Sequence, residues 1–224
     1  MTPPFRLGPL VRRYRTTVPI LPALGYLSLG PLTVIVLVVS AVAFDRPSAL
    51  AALPLGLVLI LFGVLFVLWS GSAYLDVHRK GVVIGRRVLG GEPRAMWFTE
   101  IHPATIRVFS RIDDIRPLRA GAARMISTHW HFAAGADLAV TFLGPDRDTS
   151  FTAQLRRPAP GPGIVVFGSR EATEIAAALR AGLERGGCPP HLARWSEQFG
   201  TQELKGLGRR AQRHIPGFGT DWTP

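Results

Sequence analysis

Residues 73–88, "AYLDVHRKGVVIGRRV", mark the point where a long apolar run gives way to alternation around a turn. "YLDVH" and "VVIGRRV" flank "RKG", a hairpin signal with glycine at the turn. His78, Arg79, Lys80, Arg86 and Arg87 make the stretch basic. Upstream, from Ala23 to Leu75, the only formal charges are Asp45 and Arg46. The apolar run on each side of that pair is long enough to cross a hydrocarbon core of about 30 Å. Two spans are therefore predicted, over residues 23–44 and 49–74, joined by the tight "DRPS" turn. Pro31, after Gly30, should bend the first span without ending it, and Pro54 lies early in the second, where a missing N–H matters little. Trp69 and Tyr74 occupy positions suited to interfacial aromatics. Gly56 and Gly63, seven apart, put small residues on one helix face and predict close helix approach.

Charge predicts orientation. Arg6, Arg12, Arg13 and Arg15 precede the first span, the hairpin tip nets zero, and five basic residues follow the second. The positive-inside rule then places both termini in the cytoplasm of a protein of the inner membrane. Cleavage of a signal peptide after Ala43 ("VSAVAF") is a rival reading, but it would leave five residues before the second span. A twin-arginine signal at Arg12-Arg13 is another, with about nine residues between the pair and the apolar run. The single cysteine, Cys188, excludes an intramolecular disulfide and a cysteine-based zinc cluster. Only Lys80 and Lys205 among the 26 basic residues are lysine, a codon bias of G+C-rich bacterial genomes that carries no function.

The formal charge is +11, shared by both segments that flank the apolar runs, so anionic membrane lipid is the nearest partner. Nucleic acid is not expected: the chain has no zinc-finger spacing, helix-turn-helix pattern or aromatic-rich RNA-binding signature. After the opening hairpin, "AMWFTEI", "ATIRVFSR", "MISTHWHF", "DLAVTFL", "TSFTAQL" and "GIVVFG" read as strands, with a turn at Gly135. Ser169 is a helix N-cap with Glu171 in the first turn. A helix over residues 170–185 follows, with Ala172, Ile175, Ala176, Leu179 and Leu183 at helical spacing and Gly186-Gly187 then Pro189-Pro190 ending it. The expected fold is a two-helix transmembrane hairpin followed by a β-rich barrel or sandwich of about seven strands, one end plugged by a C-terminal α-helix.

The opening hairpin (Leu75, Val77, Gly81, Val82, Val83), the "FTEI" of residues 98–101 and the strand and helix from Ile164 to Leu183 resemble the bacterial pleckstrin-homology-like (bPH) domains of membrane proteins. Many such domains follow a pair of transmembrane helices. The likeness covers roughly 100 residues and rests on apolar alternation more than on fixed residues. Where the family often has tryptophan, two residues and isoleucine, this chain has Phe98 and Ile101, with Trp97 one place early. The domain organisation expected is a basic arm over residues 1–22, the helical hairpin over 23–75, a PH-like domain over 76–187 and a basic tail over 188–224.

Candidate sites follow from the basic residues. Phosphoinositide-binding pleckstrin-homology domains use a lysine, a variable gap, then a basic residue, any residue and arginine. Here Lys80 is followed by Arg86-Arg87 with no spacer, so that pattern is broken. The Arg79-Lys80-Gly81 turn should stand roughly 15 Å beyond Tyr74, at about 3.3 Å per residue. The returning strand brings Arg86 and Arg87 back, and these with Arg94 are the candidate contacts to anionic headgroups. Arg111, Arg116, Arg119 and Arg124 in a long loop form a candidate binding loop; the other reading is a mobile charged loop. His129 and His131 would face the same way on a strand, but no third ligand is identifiable, so neither metal nor cofactor is expected. The tail has apolar Leu192, Trp195 and Phe199 and basic Lys205, Arg209, Arg210 and Arg213. It reads either as a membrane- or partner-contacting segment, broken by glycines 200, 206 and 208, or as disordered.

No catalytic motif is present, and the spans lack ionisable groups that intramembrane catalysis would need. The function expected is a non-enzymatic membrane protein presenting a PH-like domain for binding a protein, peptide or lipid headgroup. The alternatives are a structural subunit of a larger membrane complex and a membrane-bound hydrolase using Asp113, Asp114 and the histidines. Oligomeric state is left open.

Overall fold

The computed structural model describes residues 4–43, 51–88, 93–115, 129–131, 135–145 and 163–217. Its N-terminal residues, expected as an arm, hold a strand, β1 (Leu10–Arg15), which leads after a short linker into helix α1 (Ile20–Ala43). Helix α2 (Leu53–Gly71) returns and passes through Ser72 alone into β2 (Ala73–His78), and β2 pairs antiparallel with β1. The helical hairpin is thus spliced between two neighbouring strands. β3 (Gly81–Arg86) and β4 (Arg94–Trp97) complete a four-stranded antiparallel sheet in the order β1-β2-β3-β4.

The second apolar helix stops at Gly71, earlier than expected, and Tyr74 belongs to β2. The apolar character continues there because Ala73, Leu75 and Val77 form the buried face of a strand. The junction is tied down by backbone and hydroxyl bonds. Thr16 N–H donates to Ala73 O (3.1 Å), Thr16 Oγ1 lies 3.3 Å from both Ser70 O and Ala73 O, and Arg87 N–H donates to Ser72 O (3.2 Å). Carbonyls at the end of α2, which have no partner within the helix, are thereby satisfied by the sheet.

α1 runs through Pro31 without a break. The helices meet along the small-residue face anticipated from Gly56 and Gly63, both buried. A Cβ placed on Gly63 would lie 2.5 Å from the carbonyl oxygen of Tyr26, and one on Gly56 would lie 2.5 Å from a Val34 methyl. Nothing lies within 4 Å of a Cβ at Gly25. Gly63→Val is therefore expected to lower the thermal unfolding midpoint of the detergent-solubilised chain, and Gly25→Ala to leave it unchanged. Equal effects of the two substitutions would contradict this packing.

The second sheet contains β5 (Arg107–Ser110), β6 (His129–His131), β7 (Leu138–Gly144), β8 (Gly163–Gly168) and β9 (Thr201–Glu203), ordered β6-β8-β7-β5-β9. β6 runs parallel to β8 and β9 parallel to β5, and the other pairings are antiparallel. Helix α3 (Ala172–Arg185) follows β8, and short helices α4 (Pro190–Ala193) and α5 (Arg209–Gln212) lie in the C-terminal segment. β8 is buried along its whole length, as a continuous apolar run on a doubly covered strand should be. On one face of this sheet Val108, Val140, Phe142, Val165 and Phe167 share a core with Leu75, Val82 and Ile84 of the first sheet and with Ile175, Leu179 and Leu183 of α3. On the other, Phe109, Leu143, Ile164 and Val166 pack with Leu204, Ala211 and Ile215.

The C-terminal segment through Gly217 is therefore folded, and it supplies an edge strand and an outer layer to the second sheet. Gly200, at φ 53 and ψ −148, ends the 3-10 turn Trp195–Phe199 and opens β9 in a conformation that side chains disfavour. The strand expected over "AMWFTEI" ends at Trp97, because Phe98–Glu100 forms a 3-10 turn in which Glu100 Oε2 accepts the Trp97 N–H (2.9 Å). Ser169 works just ahead of α3, accepting the Glu171 N–H at Oγ (3.2 Å) and donating to Arg15 O (3.2 Å), so the helix start is linked to the end of β1. The expected strand "TSFTAQL" and the first part of "MISTHWHF" lie outside the described residues.

Candidate functional site

At the end of the first sheet that carries the helices, β1, β2 and β3 align Arg15 with Tyr74 and Ala73 with Arg86. Arg86 turns its guanidinium onto α2: Nη1 donates to Trp69 O (2.8 Å), and the group lies 4.0 Å from the centre of the Trp69 ring. A cation there complements the helix C-terminus and the indole face together. Burial pushes the Arg86 guanidinium down to about 10, which leaves it protonated at neutral pH. Arg87, one residue on, is exposed, as is Arg15. Arg94 pairs with Ile84, two residues further along the sheet, and is half-buried. Of the three arginines singled out in the sequence, Arg86 and Arg94 lie on the adjacent strands β3 and β4 and Arg87 follows the end of β3: Arg86 holds the junction and Arg87 is exposed.

β1 adds basic residues that a linear reading treats as an unstructured arm. Arg13 Nε and Nη2 form a bidentate pair with the buried Asp76 carboxylate (2.6 and 2.5 Å), and Arg12 Nη2 reaches Glu174 of α3 (2.6 Å). The hydrogen bond to Asp76 is the largest effect holding the Arg13 guanidinium above its ordinary range. The Arg79-Lys80-Gly81 turn is covered on its backbone by the N-terminal segment, with Lys80 N–H donating to Leu7 O (3.0 Å) and Arg79 N–H to Pro9 O (3.1 Å).

Of the loop arginines, Arg111 lies within the described residues and Arg116, Arg119 and Arg124 lie outside them. Arg111 is a clasp between the end of β5 and β9. Its Nη1 donates to Glu203 (3.0 Å), its Nη2 sits 3.0 Å from Asp114 Oδ2, and its backbone N–H donates to Asp137 Oδ1 (3.3 Å). The backbone at Arg111 takes φ 58, unusual for a residue with a Cβ, and these contacts hold it there. Asp113 Oδ1 accepts the Gly135 N–H (3.0 Å) and so closes the turn before β7. His129 and His131 stand on β6 beside Val165 and Phe167 of β8. Among the described residues no group of three or more His, Cys, Asp or Glu is placed to hold a metal ion.

A shallow cavity of about 260 Å³ opens beside the end of α3, walled by Phe98, Ile101, Pro103, Leu183 and Cys188. Burial pushes the Cys188 thiol up, with the Glu184 charge adding to it. Its lining side chains are apolar apart from Thr99 and the thiol, so it brings no acid and base together. A scan against protein-family models, a search of curated proteins and a search of solved structures each return no match.

Proposed function

We propose that this chain is a membrane-tethered binding protein, in which α1 and α2 cross the inner membrane as a hairpin and hold a PH-like domain at the cytoplasmic leaflet. The observation that carries the reading is the surface of the helices. Both are long and apolar enough to span, and their outer faces are bare, with Leu21 82% and Val42 80% exposed. Such a surface is stable in lipid and costly in water. Two packed sheets with α3 against them, and an aromatic and an isoleucine at Phe98 and Ile101 in the core, support the bPH resemblance. The domain binds a protein, peptide or headgroup at the membrane without catalysis. Its advantage is effective concentration, since a tethered module needs little intrinsic affinity for a partner on the same surface.

The exposed Arg15 and Arg87 orient the domain on anionic lipid. Each basic residue near the surface contributes about 1 kcal/mol, and the attraction fades beyond about 8 Å at physiological salt. Backbone hydrogen exchange of residues 85–88 in the full chain should be slower in nanodiscs of phosphatidylglycerol than of phosphatidylcholine. High salt, or Arg15→Glu with Arg87→Glu, should erase the difference. Protection by one headgroup that survives high salt would replace this diffuse contact with a specific pocket.

A second reading, an accessory subunit of a larger membrane complex, is favoured by the exposed Leu192, Trp195 and Leu207 on the C-terminal segment. Purification from native membranes separates the two: a stoichiometric protein partner retained without cross-linking supports the subunit, and one recovered only after cross-linking supports the tether.

A further inference from the structure

Arg107 opens β5 and is 8% exposed, with Nε and Nη1 enclosed and without an acceptor among the described residues. Its cross-strand partner on β7 is Thr141, whose Oγ1 is also enclosed and unpartnered there. Directly paired residues of an antiparallel ladder point to the same face with their Cβ atoms about 5 Å apart. Two residues with enclosed, unpartnered polar atoms are thus neighbours in the ladder. The guanidinium lies 3.3 Å from the centre of the Phe199 ring and 5.2 Å from that of Trp195, so the C-terminal turn covers its flat face. A second cation, Arg180 of α3, is close enough to lower the Arg107 pKa, after burial itself, to about 10. Arg180 Nε donates to Ser196 Oγ (3.1 Å), and the half-exposed Glu197 carboxylate is 4.0 Å from Arg180 Nη1.

We propose that Arg107 and Thr141, with Arg180 beside them, form a site for a small oxyanion of the phosphate or carboxylate class, covered by the aromatic turn Trp195–Phe199. Buried polar groups in folded proteins almost always have partners, and a buried cation is tolerated when it is paired. Here two arginines share one desolvated corner, and among the described residues the carboxylate beside them, Glu197, is peripheral. Stacking satisfies the face of the Arg107 guanidinium but leaves N–H groups in its plane, where arginine recognises oxyanions. Thr141, whose Cβ neighbours that of Arg107 across the ladder, would add a hydroxyl donor. Entry requires the turn to lift, and Trp195, about half exposed, already lies at the surface. The site stands apart from the membrane reading.

The test is thermal unfolding of the full chain in neutral detergent, with sodium phosphate or sodium acetate against sodium chloride at matched ionic strength, and separately with phosphatidylglycerol added to the micelles. An upward shift with phosphate or acetate is expected in the wild type, and it should be absent in Arg107→Met and smaller in Thr141→Val. Arg107→Met itself should unfold no earlier than the wild type, because it removes a buried cation. If that variant does not fold, Thr141→Val, nearly identical in volume, carries the comparison. A shift with the free anions identifies a soluble ligand; one with phosphatidylglycerol alone, lost in the same variants, identifies a headgroup. No shift in the wild type under any of these conditions, or equal shifts in the wild type and the variants, would overturn the proposal.

Discussion

Phe98→Ala is expected to cost the domain about 3–5 kcal/mol, the scale for emptying a large aromatic site in a packed core. Phe98 is fully buried between the sheets and α3, and its ring occupies the space where a side chain on Gly182 would stand. Gly182→Val should therefore be severely destabilising in the wild type, as overpacking with no room to relax is. In the Phe98→Ala background the same valine enters the vacated space, so the double variant should be clearly more stable than the sum of the two losses. Chemical unfolding of the four proteins of this cycle in detergent measures the coupling. Strict additivity would mean that α3 does not lie on Phe98 and that the helix is not the plug of the core.

The second large effect separates a strand from an arm. Tyr14→Ala is expected to cost about 3 kcal/mol or more, because the ring is 2% exposed within the main core. Its neighbour Arg13 is partnered with Asp76, which is only 5% exposed, so Arg13→Met should destabilise by leaving that carboxylate unpaired. Arg13→Met combined with Asp76→Leu should recover much of that loss. A flexible basic arm predicts no change in any of these variants. An unchanged unfolding midpoint for Tyr14→Ala would remove β1 from the domain.

The parts of the fold legible in the sequence are those with a strong local period. The two apolar helices, the β2–β3 hairpin, β7, β8 and α3 all lie close to their expected positions, since each is defined by an apolar run or stripe of its own residues. β1 was not legible, because "LVRRYR" is an edge strand whose outward side chains mix two apolar residues with three arginines and whose one core residue, Tyr14, gives no alternation. Nor was β9, a three-residue strand whose partner lies over 90 residues away. The end of α2 is not legible because a buried strand directly continues an apolar helix, and hydropathy alone cannot divide the two.

The candidate site shows the same division. Arginine positions are visible in any sequence, but their partners are not. Arg86 became a helix cap on Trp69 and Arg111 a clasp to Glu203 and Asp114, pairings set by topology. The enclosed Arg107 carried no sequence signal, since its surroundings arrive from β7, α3 and the C-terminal turn.

In the proposed topology a membrane hairpin carries both of its flanking strands, and hence the whole domain, on the cytoplasmic side. A phosphatase reporter active only in the periplasm tests it most directly, inserted between Asp45 and Arg46 in one fusion and placed after Pro224 in another. Strong activity is expected from the first and none from the second; activity after Pro224, or silence at the Asp45–Arg46 insertion, would contradict this topology.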